Sequence, residues 1–450
     1  MEKNSKDLTS EVPFFYNAST GEEVNIDMDT ISSQKSLERI IQEKGLKFTY
    51  KTAPDSQAIT SSLIEKNINA AFSMWKKYPW NANVPENIFF NYLLPYKICN
   101  EMPGNWRAFF SREYKLFLNG SATKYKDDTL LDPNLIVKAA WLENTKRFFK
   151  YNVTGLKLDP FPGLKELLAI REGDCTPYST EQVYLMRSLG IPATIDLIPY
   201  WGKGNAGHAA LVFWNTKKHK MTCIRGEGLN PPGYSPAKVF RLSFKRQTIW
   251  QDSIRPYVDP VSFVLKNLEN NHWIDATGDH VKVADVAIPI KDSSSRYAYI
   301  CVFNYAQWVP IYWGRYIHHE YLFKNMGCDI LYRVALPASK TYRLTDHVFY
   351  LDSGGVVKYI HPDLKKRINL TLHKLNIGRK SWVQQMQLYT LKYLSNKGMW
   401  MDVGTKKCQK DSVISFTHVP TNTFYRLLKD GGLGILGRPF LYKNKTQEWY

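Results

Sequence analysis

Apolar positions recur at helical spacing between residues 61 and 78, at Ile64, Ile68, Ala71, Phe72 and Trp75, and Pro79 supplies a stop. A second helical pattern opens at Asp132-Pro133, a capping residue followed by a proline in the first turn. It runs on through Leu135, Ala139, Leu142 and Phe149. Ahead of these, residues 1 to 55 are polar and weakly patterned, a lead-in with one helix near 36–42. The first 150 residues are therefore expected to be mainly helical. Beyond about residue 190 the period changes. Short apolar runs such as ATIDLIPYW, HAALVFW, VKVADVAIPI, YAYICVFNYAQWVPIYW and DILYRVAL alternate with Gly, Pro, Asn and Asp turns, a pattern of β-strands. Pro232, Pro260 and Pro337 fall at expected linkers. The predicted fold class is α+β.

Composition narrows the classes. The 450 residues suggest about three domains. Apolar residues make up 44% and charged residues 22%, so the chain is of ordinary globular character. The 63 aromatics (13 Trp, 28 Tyr and 22 Phe) suit sheet-rich cores. Six Cys without a CxxC pair exclude a disulfide-dense scaffold and a zinc ribbon. The net charge of +19 raises the question of nucleic acid. The basic residues are scattered, however, and their densest pieces, Lys217-Lys218 and Lys365-Lys366-Arg367, fall at expected turns, so no nucleic-acid partner is expected. No stretch reaches 18 uninterrupted apolar residues, so no transmembrane segment is expected. Residues 1–15 lack the apolar centre of a signal peptide.

The chemistry concentrates between Arg171 and Gly228. Gly173-Asp174-Cys175 precedes a helical pattern with Val183, Met186 and Leu189 on its apolar positions, and Gly190 stops it. Cys175 thus opens a helix, where free N–H groups and the helix dipole are expected to lower its pKa and to cradle an oxyanion. His208 follows a glycine loop, 204–207, expected to be flexible, and begins an apolar strand. A hairpin centred between Lys217 and Lys218 sets His208 opposite Glu227, making Glu227 a candidate to orient the imidazole. A one-residue slip sets Arg225 there instead. The candidate site is therefore Cys175 as nucleophile, His208 as base and Glu227 as the acid. The other cysteines are read as buried hydrophobes.

At these residues the chain resembles the transglutaminase-like superfamily of papain-type cysteine enzymes. In that family a Cys opens a helix that ends in a run like Arg187-Ser188-Leu189-Gly190-Ile191-Pro192, a His opens a following strand, and an Asp lies on the next. No Asp occurs between His208 and Gly228, which is where the pattern departs. The flanks Phe90–Lys97, Asn230-Pro231-Pro232-Gly233, Ile274-Asp275-Ala276-Thr277 and Arg438-Pro439-Phe440 resemble bacterial members that append β-sandwiches. The resemblance implies a helical region at 1–125, a transglutaminase-like core at 126–258, a β-sandwich at 259–365 and a second small one at 366–450. It implies amide-bond chemistry, as peptidase, amidase or acyl transferase, without cofactor or metal. The implied partner is a peptide or protein substrate, with cell-wall peptide or glycan as variants. Members are exported, which implies a periplasmic or cell-surface location with a signal removed; a cytoplasmic location is the alternative. The rival reading is an inactive member of the fold that binds glycan or protein through its β-domains.

Two further motifs carry less. Gly432–Gly437 fits GxGxxG, but Arg438-Pro439 follows where a βαβ unit needs a helix, so it reads as a glycine-rich turn. His318-His319-Glu320 reads as structural, because adjacent strand residues point to opposite faces.

Overall fold

The structure is a computed structural model. It describes residues 9–81, 83–125, 132–147, 149–153, 161–224, 231–246, 258–262, 265, 268, 272–290, 295–378, 381–431 and 437–450. The α+β class holds: helices dominate between residues 61 and 188, and strands dominate beyond.

The chain does not begin as a helical lead-in. Strands Thr9–Asn17 and Leu46–Pro54 pair antiparallel over their whole length, and helix Gln34–Glu43 lies between them in sequence. Leu46, Phe48 and Tyr50 alternate with polar residues, the period-two signature of a sheet with one covered face. Leu46 and Phe15 close a small core with Leu37 and with Ile170, which ends the helix leading to Cys175. The helix itself starts where expected, with Ser33 and Ser36 forming a reciprocal cap.

The two patterned helices appear as Ser61–Lys77 and Pro133–Arg147. Asp132 caps the second by accepting the Asn134 N–H at 2.9 Å. Helix Trp106–Glu113, with Trp106 and Phe110 on its buried side, packs on the central helix Cys175–Ser188, where Trp106 stacks on Tyr184 at 4.8 Å. Arg107 is buried there, with Nε on Asn67 Oδ1 at 2.6 Å and a guanidinium nitrogen on the Arg187 carbonyl at 3.0 Å.

The central helix is buried all round from Ser179 to Ser188. It ends as its sequence requires. Gly190 takes φ +81°, and the Gly190 and Ile191 amides bond back to Arg187 and Met186. Arg187 supports the turn by donating to the carbonyls of Ala193 at 2.9 Å and Lys97 at 3.0 Å. The helix lies on a five-stranded antiparallel sheet in the order Trp273–Asp275, Phe240–Leu242, Ala193–Ile198, His208–Asn215, Lys220–Cys223. Alternation turns Ala209, Leu211 and Phe213 into the core shared with the helix.

Strands between Val283 and Lys358 form one seven-stranded antiparallel sheet. The aromatic run Tyr297–Asn304 is buried throughout within it. Pro337, expected in a linker, lies in strand Ile330–Ala338 of the same sheet. His318 and His319, with φ of 49° and 66°, form the tight turn between two of its strands rather than lying on a strand. The tail from Asp363 forms a two-stranded and a five-stranded sheet around a core of its own. The expected boundary near 258 is not a gap in the packing. One hydrophobic core runs from Trp106 and Val183 into Tyr299 and Val334, and buried Lys238 ties Asp275 at 2.5 Å to the Lys324 carbonyl at 2.7 Å. The Gly432–Gly437 motif lies outside the described residues except for Gly437.

A Cβ at Gly190 would stand 2.3 Å from Asn81 Nδ2 and 2.9 Å from the Met74 carbonyl. Gly190→Ala should cost about 2–4 kcal/mol, combining a left-handed backbone with overpacking. Urea unfolding reads this as a lowered midpoint, and an unchanged midpoint would refute the packing described.

Candidate functional site

Cys175 is the first residue of its helix, and Asp174 is the cap. The Asp174 carboxylate accepts the Thr176 N–H at 3.2 Å. Pro177 has no N–H, and Tyr178 N–H returns to the Asp174 carbonyl. Of the amides that open the helix, that of Cys175 itself is the one with no hydrogen-bond partner among the described residues. The helix start therefore offers one oxyanion donor rather than several.

The thiol departs from expectation. Burial pushes its pKa above the ordinary 9.0, and the Asp174 carboxylate adds to that push. The nearby Ala209 N–H, Thr176 hydroxyl and Cys175 N–H pull the other way without prevailing. The acid that caps the helix sets a negative charge beside the sulfur and offsets the positive helix end.

His208 opens its strand, half-buried like Cys175. The next residue, Ala209, is held by the helix through its carbonyl, which accepts from Ser179 Oγ at 3.2 Å, and its N–H lies close enough to the Cys175 sulfur to lower the thiol's pKa. One helical turn thus carries Cys175 and Ser179 onto the peptide beside His208. Alternation along the strand puts the base of His208 on the face away from the helix, with its ring nearly parallel to Trp201 at 6.1 Å. Cys175 and His208 both line one crevice of about 830 Å³. Its walls include Trp141, Tyr151, Tyr178, Leu211, Ile224 and Pro231. Cys223 lines it too, with burial pushing its thiol to about 12.

The loop before His208 is braced rather than flexible. Asn304 Oδ1 accepts the Ala206 N–H at 3.0 Å, and its amide nitrogen reaches the Ala206 carbonyl at 3.1 Å. Buried Arg438, from the tail, donates to the carbonyls of Gly202 at 2.7 Å, Gly204 at 2.6 Å and Phe303.

The hairpin pairs Asn215 with Lys220 and Val212 with Cys223, centred between Lys217 and Lys218 as expected. Glu227 lies outside the described residues. An acid that sequence reading passed over, Asp196, pairs with Ala210 on the neighbouring strand, on the same sheet face as His208. Asp196 is fully buried. It accepts Arg241 Nε at 2.8 Å and a second guanidinium nitrogen at 2.7 Å, and lies 2.6 Å from His280 Nε2. Burial opposes its charge, but Arg241 and His280 prevail and hold its pKa below the usual carboxylate value. Its partners lie 45 and 84 residues away, a separation no local motif marks.

A second buried acid adjoins the crevice. Glu181 accepts from Asn144 at 2.6 Å and Gln182 at 3.0 Å, and burial pushes its pKa up to about 8. No group of three or more His, Cys, Asp or Glu arranged to hold a metal is found among the described residues. Nor is any described helix long and apolar enough to cross a membrane. No family model and no curated protein sequence matches the chain.

Iodoacetamide should alkylate Cys175 with a rate that climbs through a midpoint above 9.0, ahead of Cys223 at every pH. Peptide mass mapping measures both rates, and a midpoint below 9.0 would contradict the electrostatics described. Glu181 gives a second pH signature. Between its ordinary 4.5 and about 8 the folded protein keeps a proton that the unfolded chain has released, so Glu181 makes stability fall as pH rises through that window. Glu181→Gln should remove this contribution, read from urea midpoints at about pH 5 and about pH 8. An unaltered pH slope would show that Glu181 does not carry it.

Proposed function

We propose that this protein is a cysteine-dependent enzyme acting on amide bonds, built on a papain- or transglutaminase-like core. Cys175 is the nucleophile and His208 the base. The observation that carries the reading is the Ala209 peptide. It fastens the strand that His208 opens to the start of the Cys175 helix, and both residues border the same crevice.

The raised thiol pKa specifies the mode of attack. A standing thiolate–imidazolium pair is disfavoured, so His208 takes the thiol proton as the S–C bond forms. The oxyanion meets the Cys175 N–H. Collapse breaks the C–N bond, the imidazolium returns its proton to the leaving amine, and a thioester remains on Cys175. Water activated by His208 then yields the acid and regenerates the thiol, whereas an amine yields a new amide. Hydrolysis is favoured, because both residues are half-exposed and water reaches them. Glu227 is retained as the proposed partner of the imidazole on the hairpin register alone.

The raised pKa of Cys175 favours a second reading, a protein that keeps this crevice for binding and has lost turnover. p-Nitrophenyl acetate separates the two. The enzyme reading expects a burst of nitrophenol with acetyl on Cys175, absent in Cys175→Ala and slowed about 100-fold in His208→Ala. No acetyl-Cys175, or a burst indifferent to His208, favours the binding reading.

A further inference from the structure

Cys175, Ser179 and Gln182 fall on one face of the central helix, at steps of four and three residues, and all three line the crevice. Ser179 is committed to Ala209. Gln182 differs. Its residue is 1% exposed, and no hydrogen-bond donor reaches its Oε1 among the described residues. Its other end is fixed, since Nε2 donates to Glu181 Oε2 at 3.0 Å. Glu181 is held in turn by Asn144, whose Oδ1 accepts from Tyr114 at 2.5 Å. This buried chain decides which way the amide faces: the nitrogen is used inward, and the oxygen is left over.

A buried acceptor without a donor is costly, and such groups call for an explanation. Here the chemistry of the walls supplies one. The described lining holds no Asp, Glu, Lys or Arg, although the chain as a whole carries +19. Trp141, Leu211, Ile224, Pro231 and Pro232 give an apolar slot. Among the described lining residues a charged side chain would lose its water without meeting a counter-charge. A wholly apolar one would leave Gln182 Oε1 unmet. Gln182 is seven residues from Cys175, about 10 Å along the helix axis, the scale of one long side chain.

We infer that the crevice contains a selectivity subsite for an apolar, aromatic side chain ending in a neutral O–H or N–H donor, with Gln182 Oε1 as the acceptor that reads it. The subsite deepens the proposed function and rests on this crevice being where substrate binds. Gln182 selects substrate and takes no part in the bond-making steps.

The test avoids chemistry at the thiol. Full-length Cys175→Ala protein is titrated by calorimetry with N-acetyl-L-tyrosinamide, its O-methyl ether, N-acetyl-L-phenylalaninamide and N-acetyl-L-lysinamide. The tyrosine ligand should bind about tenfold more tightly than the ether, the phenylalanine and the lysine ligands. In the double variant with Gln182→Met, the tyrosine and phenylalanine ligands should bind within about twofold of each other. Equal binding of tyrosine and phenylalanine in the Gln182 protein, tightest binding of the lysine ligand, or no binding at millimolar ligand would each overturn the subsite. The first comparison stands even if Gln182→Met does not fold. Failure of acetylation at Cys175 with the tyrosine preference intact would remove the enzyme reading and leave the subsite standing.

Discussion

The Ala209 peptide is the joint on which the candidate site is assembled. Its carbonyl accepts from Ser179 Oγ at 3.2 Å, one turn into the central helix from Cys175, and its N–H lies close enough to the Cys175 sulfur to favour the thiolate. The Ser179 bond contributes on the order of 1 kcal/mol. Its value lies in direction. With the peptide fixed, the strand cannot slide along the helix without leaving a buried carbonyl unsatisfied. The apolar contacts of Leu211 and Phe213 with Val183 and Met186 supply most of the adhesion, but such contacts tolerate small shifts and the polar clamp does not.

The electrostatics follow from placing polar groups inside that packed layer. Cys175, Glu181 and Arg187 sit on one helix, the first half-buried and the other two buried, and each is answered differently. Arg187 finds two backbone carbonyls. Glu181 finds amide donors but no cation, and burial favours its neutral form. Cys175 finds hydrogen-bond donors together with a nearby carboxylate. A strongly basic protein thus shows no Asp, Glu, Lys or Arg among the described residues that line this crevice.

Much of this was legible in the sequence where the signal is local. The start of the central helix at Cys175, its stop at Gly190 and the register of the hairpin around Lys217 and Lys218 all depend on residues a few positions apart. The strand Leu46–Pro54 carried a readable alternation, but its polar residues masked it as a lead-in. The expected lowering of the Cys175 pKa is reversed because the dipole argument leaves out first the burial of the thiol and then the charge of the helix's own cap. The partners of Asp196, Glu181 and Arg107 depend on long-range pairing, which no spacing rule anticipates. The aromatic density of Tyr297–Asn304 correctly marked a sheet, but did not reveal that its core continues into the helices.

Arg438 has a consequence for how the molecule is made. Its guanidinium grips the backbone of the segment that leads into His208, more than two hundred residues earlier in the chain. During synthesis the helix and the five-stranded sheet emerge long before this arginine does. Until translation has passed it, the loop lacks one of its braces. The segment leading into His208 therefore gains this brace only once the tail has been made.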